Sequence, residues 1–212
     1  EGRSSHACSN SIVGALNGKP DFGILMTRTG KGISLGNRGR VDVNVEIRGQ
    51  SSHSSVPHMG HSAIDGAHEV LDRLKEVPLG DRHPILGSRH IIPYQLSFEP
   101  LAPHTLPSLA RFRVDRRLLP GDQPDEAANE IRESIGELIN YQVTVTRGEY
   151  MLPALCDPSH PYIGSLMHSH KQIIGVDPDT FYGQGTFDAG GPSFLGVPTV
   201  MYGVGGGDWP LG

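Results

Sequence analysis

The segment Gly49-Gln50-Ser51-Ser52-His53-Ser54-Ser55-Val56-Pro57 sets one histidine among small polar residues in a turn between two ordered elements. An imidazole mounted there is exposed and rigidly carried, the kind of side chain that can serve a reaction centre. Two glycine-rich stretches, Gly185-Thr186-Phe187-Asp188-Ala189-Gly190-Gly191 and Gly203-Val204-Gly205-Gly206-Gly207, bracket a short apolar run. Their backbone N–H groups could face an anion, or they could simply be turns in a glycine-rich chain. Of 11 histidines, His68, His83, His90, His160, His168 and His170 have no acidic residue at metal-ligand spacing. A His-Glu-x-x-His helix, a His-x-Asp segment and an internal Glu-Glu pair are all missing, so the chain spells out no self-contained two-metal cage.

The elements that must carry these residues follow from periodicity. Residues 41–47, Val-Asp-Val-Asn-Val-Glu-Ile, alternate apolar and polar as a strand with one buried face does. From Ser62, a cap paired with Asp65, the residues Ala63, Ile64, Ala67, Val70, Leu71, Leu74 and Val77 fall at helical spacing until Pro78 and Gly80. Ile92, Tyr94, Leu96 and Phe98 should share one strand face, and Ala110, Phe112 and Val114 another. A second helix is expected from Asp122 as cap, through Pro124, Asp125 and Glu126 at the positive end of its dipole, to Asn140. Tyr141, Val143 and Val145 then alternate as a last strand. Strand, helix, strand, strand, helix, strand is the ferredoxin-like βαββαβ order. Outside it, a strand at Gly23–Met26, a helix at 161–174 and a buried strand at 197–202 suit an α/β layer. The fold class expected is therefore α/β with an α+β lid: a ferredoxin-like unit at 38–148 inserted between α/β segments 1–37 and 149–212. The opening stretch Glu-Gly-Arg-Ser-Ser-His, without Met, reads as the continuation of an earlier portion.

Composition narrows the partners. The 212 residues are 36% hydrophobic and 19% charged, ordinary for a globular protein, with 28 Gly and 17 Pro for many turns. A net charge of −5 and dispersed cations give no footprint for nucleic acid or an anionic membrane, and neither partner is expected. Cys8 and Cys156 make no disulfide framework, so a reduced, cytoplasmic setting is the expectation.

Three motifs carry a resemblance. Arg38-Gly39-Arg40 opens the first strand, Gly-Gln-Ser-Ser-His-Ser-Ser-Val-Pro-His-Met-Gly-His-Ser-Ala-Ile follows it, and Val114-Asp115-Arg116-Arg117-Leu118-Leu119-Pro120-Gly121 comes later; Gly-Thr-Phe-Asp-Ala and Gly-Val-Pro-Thr-Val-Met-Tyr-Gly-Val-Gly complete the order. Over nearly its whole length the chain resembles the zinc-dependent aminoacylases, acetylornithine deacetylases, succinyl-diaminopimelate desuccinylases and glutamate carboxypeptidases, which carry a peptidase dimerisation domain. The resemblance implies a homodimeric hydrolase that uses zinc-activated water, with cobalt or manganese as alternatives. Its substrates would be N-acyl amino acids or small peptides.

Residue by residue, the resemblance makes His53 the catalytic donor that stabilises the oxyanion in the partner subunit's site. It makes Arg117 the anchor of a substrate carboxylate, although a strand-end arginine paired with Asp115 or a helix acid reads equally well. His104 stands where the family commonly has a lid asparagine, so it contacts substrate or touches nothing. Thr186, Asp188 and Gly205 match pocket-lining segments. Of the two zinc sites implied, Glu1 is the single candidate ligand; the expected later acidic ligand is replaced by Thr27-Arg28-Thr29, and no late histidine follows Gly207. Two other readings stay open: a dimerising or ligand-binding relative that has lost its metal site, and a βαββαβ interaction module set in an unrelated enzyme.

Overall fold

The computed structural model describes residues 6–30 and 32–203. In chain order the elements are α1 (Ala7–Ala15), β1 (Gly23–Met26), β2 (Ile33–Asn37), β3 (Gly39–Arg48), α2 (Ala63–Arg73), β4 (Ile91–Glu99), β5 (Leu109–Leu118), α3 (Pro124–Ile135), β6 (Gln142–Met151), β7 (Ala154–Leu155), α4 (Pro161–Ile174), β8 (Thr180–Gly183), α5 (Gly190–Phe194) and β9 (Thr199–Tyr202). They form two sheets. One is four-stranded in the order β4-β5-β3-β6, antiparallel throughout, which is the ferredoxin-like arrangement. The other is mixed, with β1 parallel to β9, β9 antiparallel to β2, and β2 flanked by β7 and β8. The chain therefore leaves the mixed sheet after β2, completes the four-stranded unit, and returns.

The alternating strand β3 works as its pattern demands. Val41, Val43, Val45 and Ile47 are buried against α2 and α3, together with Ala67, Val70, Phe112, Val114, Ile131 and Ile135. The opposite face carries Asp42 and Glu46, which accept hydrogen bonds from Arg113 and Arg111 on β5. Ser62 caps α2, its hydroxyl accepting from the Ile64 N–H at 3.2 Å.

Three expectations need correction. Asp122 does not cap α3. Its carboxylate receives Arg89 and the Leu119 N–H, and Gln123 stands at the cap without a side-chain bond. That helix ends at Ile135 rather than Asn140, because Gly136 takes a left-handed φ of 58° and turns the chain. On β4 a bulge between Pro93 and Gln95 breaks the period, so Ile92 lies opposite Asp115 while Leu96 lies opposite Phe112. Ile92, Tyr94 and Leu96 are consequently all about half exposed, and Phe98 alone of the four packs on the core. Among the described residues no helix is long and apolar enough to cross a membrane.

Candidate functional site

His53 sits in the loop that joins β3 to α2, and the sequence builds that loop from backbone contacts. Gln50 pairs with His61, and His53 pairs with Thr105. The Ser54 N–H donates to the His104 carbonyl at 2.7 Å, and the Leu106 N–H to the Ser52 carbonyl at 2.9 Å. Such close approach needs glycine: a Cβ on Gly49 would stand 2.1 Å from the His61 carbonyl oxygen. The Ser55 N–H donates to His53 Nδ1 at 3.2 Å. Nδ1 is thereby the acceptor, which leaves the proton on Nε2 of an exposed ring, free to donate outward. His104 closes the same tip from the other side. It adopts a left-handed φ of 55°, and its ring centroid lies 6.0 Å from that of His53. The structure thus brings His53 and His104 together, two exposed imidazoles on one rim.

Arg117 lies at the other end of the same sheet. Its guanidinium pairs with Asp115, Nη2 donating to the carboxylate at 3.0 Å and Nε lying 2.9 Å from the other oxygen, the pairing the sequence left open, while Nη1 reaches the Gln184 carbonyl at 3.3 Å. That last contact brings the end of β5 to the loop carrying Thr186 and Asp188. Both of those residues are half-buried.

Asp188 has a partner that periodicity could not reveal. His6 is fully buried, its Nε2 accepts the Leu152 N–H at 2.7 Å, and its Nδ1 stands 3.5 Å from the Asp188 carboxylate. One imidazole therefore ties the start of the described chain to the exit of β6 and to the Asp188 loop. Burial pulls its pKa down, against the opposing pull of Asp188. The only sequence signal was a histidine in a polar stretch, which gives no hint of burial.

Glu1 and Gly205 lie outside the described residues. Among those that are described, no group of three or more His, Cys, Asp and Glu side chains could hold a metal ion. At the position where the resemblance places an acidic ligand, the Thr27 N–H donates to the Tyr202 carbonyl. Thr29 Oγ1 donates to the Gly32 carbonyl and accepts the Gly203 N–H, so this segment fastens β1 to the end of β9. The described donor set does not fit a zinc cage.

The two ends of the lid cannot serve one small substrate within a single chain. β3 and β5 are each ten residues long and paired along their whole length, with Arg48 opposite Leu109 at the His53 end and Arg40 opposite Arg117 at the other. At about 3.3 Å per residue, that separates the two groups by about 30 Å.

The geometry defines a class first: a ferredoxin-like lid on an α/β layer, with an imidazole rim at its far end and a guanidinium at its junction. The model of the peptidase dimerisation domain matches residues 35–140, and the chain belongs to that family, the M20 peptidases. It is 23% identical over 218 residues to the uncharacterized protein YgeY of Escherichia coli K12, a match covering 93% of this chain and 53% of that one. It is 26% identical over 161 residues to an acetylornithine deacetylase of Vibrio atlanticus, covering 70% and 42% respectively. Aminopeptidase PepT of Bacillus cereus superposes with a TM-score of 0.73 at 17% identity, covering 96% of this chain and 55% of that one. The chain spans about half the length of the curated relatives it matches.

Proposed function

We propose that this chain is the lid-bearing part of a hydrolase that cleaves an amide bond in a carboxylate-bearing substrate, an N-acyl amino acid or small peptide, and that it acts as a homodimer. The observation that carries the reading is the separation of His53 from Arg117. A substrate carboxylate and its scissile amide lie within about two residue lengths, ~7 Å. A sheet about 30 Å long cannot bring both of its ends to such a molecule. A second copy, related by the two-fold symmetry commonest among oligomers, can supply the far end.

In this scheme Arg117 binds and orients the substrate carboxylate, and the neighbouring Asp115 holds the guanidinium in a fixed plane. His53 Nε2–H, with Nδ1 already committed to Ser55, donates to the carbonyl oxygen as negative charge gathers on it. His104, on the same rim, contacts the substrate beside it. Closure of the lid excludes water and completes the donor set only when substrate is present. Zinc, if the intact protein holds it, would supply activated water. The described side chains do not form that site.

The test is metal content by elemental analysis of the intact gene product, run beside release of amine from a panel of N-acyl amino acids and dipeptides. Bound divalent metal with hydrolysis supports the reading. Saturable substrate binding with no metal and no hydrolysis would replace it with a ligand-binding relative.

A further inference from the structure

The junction end of the lid gathers more positive charge than Arg117 alone requires. Arg38, just before β3, donates from Nε to the Leu86 carbonyl at 2.7 Å, and its Nη1 lies 3.4 Å from His90 Nδ1. The His90 carbonyl in turn accepts the Arg117 N–H at 3.0 Å. Arg82 comes in over the turn closed by the His83–Gly87 bridge. The point a Cβ would occupy on Gly87 is 2.7 Å from Arg38 Nη2 and 4.0 Å from Arg82 Nε, so the two guanidiniums converge beside that glycine.

Neighbouring arginines are each matched to a carboxylate: Arg89 to Asp122, Arg116 to Glu130 and Arg117 to Asp115. Arg38 and Arg82 have no carboxylate partner among the described residues. Like charges crowded without an anion repel, and a fold tolerates this at a site that receives one. The strain is legible in Arg38, whose pKa is lowered by burial and by the charges of Arg117 and Arg82. The same surroundings lower His90, by burial first and Arg117 next.

We infer that Arg38, Arg82 and His90 form an anion subsite beside Arg117, built for a ligand carrying two negative charges on oxygen. The count supports two: Arg117 is already offset by Asp115, whereas Arg38 and Arg82 are not. Arg38 Nη2 is uncommitted, Arg82 is exposed and can swing onto a ligand, and His90, its Nδ1 accepting from Arg38, offers its Nε2–H as a third donor. Two sources present this chemistry, a single dianionic phosphate group or a pair of carboxylates on one small molecule. The subsite is independent of hydrolysis and of any metal, so it stands or falls separately from the proposed activity.

The test is titration of the full chain with inorganic phosphate and, in parallel, with glutarate at low ionic strength. Heat of binding is followed together with the His90 ring resonances. Saturable one-to-one binding with a His90 shift is expected. Arg82→Gln, at an exposed position that leaves the fold alone, should weaken it about tenfold or more, the loss of one charge-assisted bond. Arg48→Gln, an equal charge change at the opposite end of β3, should leave it unchanged. Arg38→Gln should abolish it, with unfolding curves recorded to confirm an intact fold. Preference for phosphate or for glutarate identifies which source the site is shaped for. No saturable binding by either anion, or equal weakening by Arg82→Gln and Arg48→Gln, would overturn the inference.

Discussion

A mixing experiment tests the composite site directly. In the intact protein, His53→Ala removes the donor at the tip and should lower kcat about 10²–10³-fold, the range for losing one oxyanion-stabilising group. Arg117→Ala removes the carboxylate anchor and should raise KM about 10–100-fold, since a charge-assisted bond contributes about 1.5–3 kcal/mol. With the two groups about 30 Å apart on one ten-residue strand pair, the proposed homodimer would have each site draw its His53 from the other copy. A heterodimer of the two variants then contains one site with both groups and one with neither. Random exchange makes half of all dimers heterodimers, so at substrate well below KM, where each variant alone is impaired, about a quarter of wild-type activity should return on mixing. The assay is amine release measured before and after unfolding and refolding the variants together, with each variant refolded alone as control. Were both groups to act within one chain, every site in the mixture would lack one of them. Failure to recover any activity from verified heterodimers would refute the shared-site argument.

Two further outcomes follow from the core and its junction. Because burial holds His6 below its ordinary value of 6.5, the unfolded chain binds more protons than the folded one as pH drops through that value. The stability His6 contributes should be complete above about pH 6.5 and decline below it. Urea unfolding at pH 5.5 and 7.5 should show a smaller pH difference for His6→Gln than for the wild type, and an unchanged difference would show the imidazole to be no better satisfied neutral than charged. Ile131 is fully buried between α3 and the lid sheet, so Ile131→Ala should cost about 2–5 kcal/mol by chemical denaturation. A loss under about 1 kcal/mol would mean that the lid core collapses around the gap.

The lid was largely legible because its signals are local. The alternation at 41–47 required one buried face, and the structure buries Val41, Val43, Val45 and Ile47. The 161–174 helix also stood where its apolar spacing put it, and the strand expected at 197–202 forms at Thr199–Tyr202. The strand β2 escaped notice. Ile-Ser-Leu-Gly-Asn has no clean period, since all five residues are buried and Gly36 lies under the Ala154 carbonyl, where a Cβ would come within 2.6 Å. Asp122 misled for a related reason: an acid before Pro124 fits a cap, but Arg89, distant in sequence, takes its carboxylate.

By itself the sequence determined the βαββαβ order, the family and the polar turn that presents His53, because strand period, helix capping and turn chemistry act between residues a few positions apart. Tertiary structure alone decided the partnerships across the chain: the bulge in β4, the burial of His6 against Asp188 and Leu152, and the convergence of Arg38 and Arg82 beside Gly87. It also set the distance that divides His53 from Arg117. Those contacts join segments whose separation along the chain carries no periodic signal, and only packing, with its demand that buried polar groups find partners, brings them together.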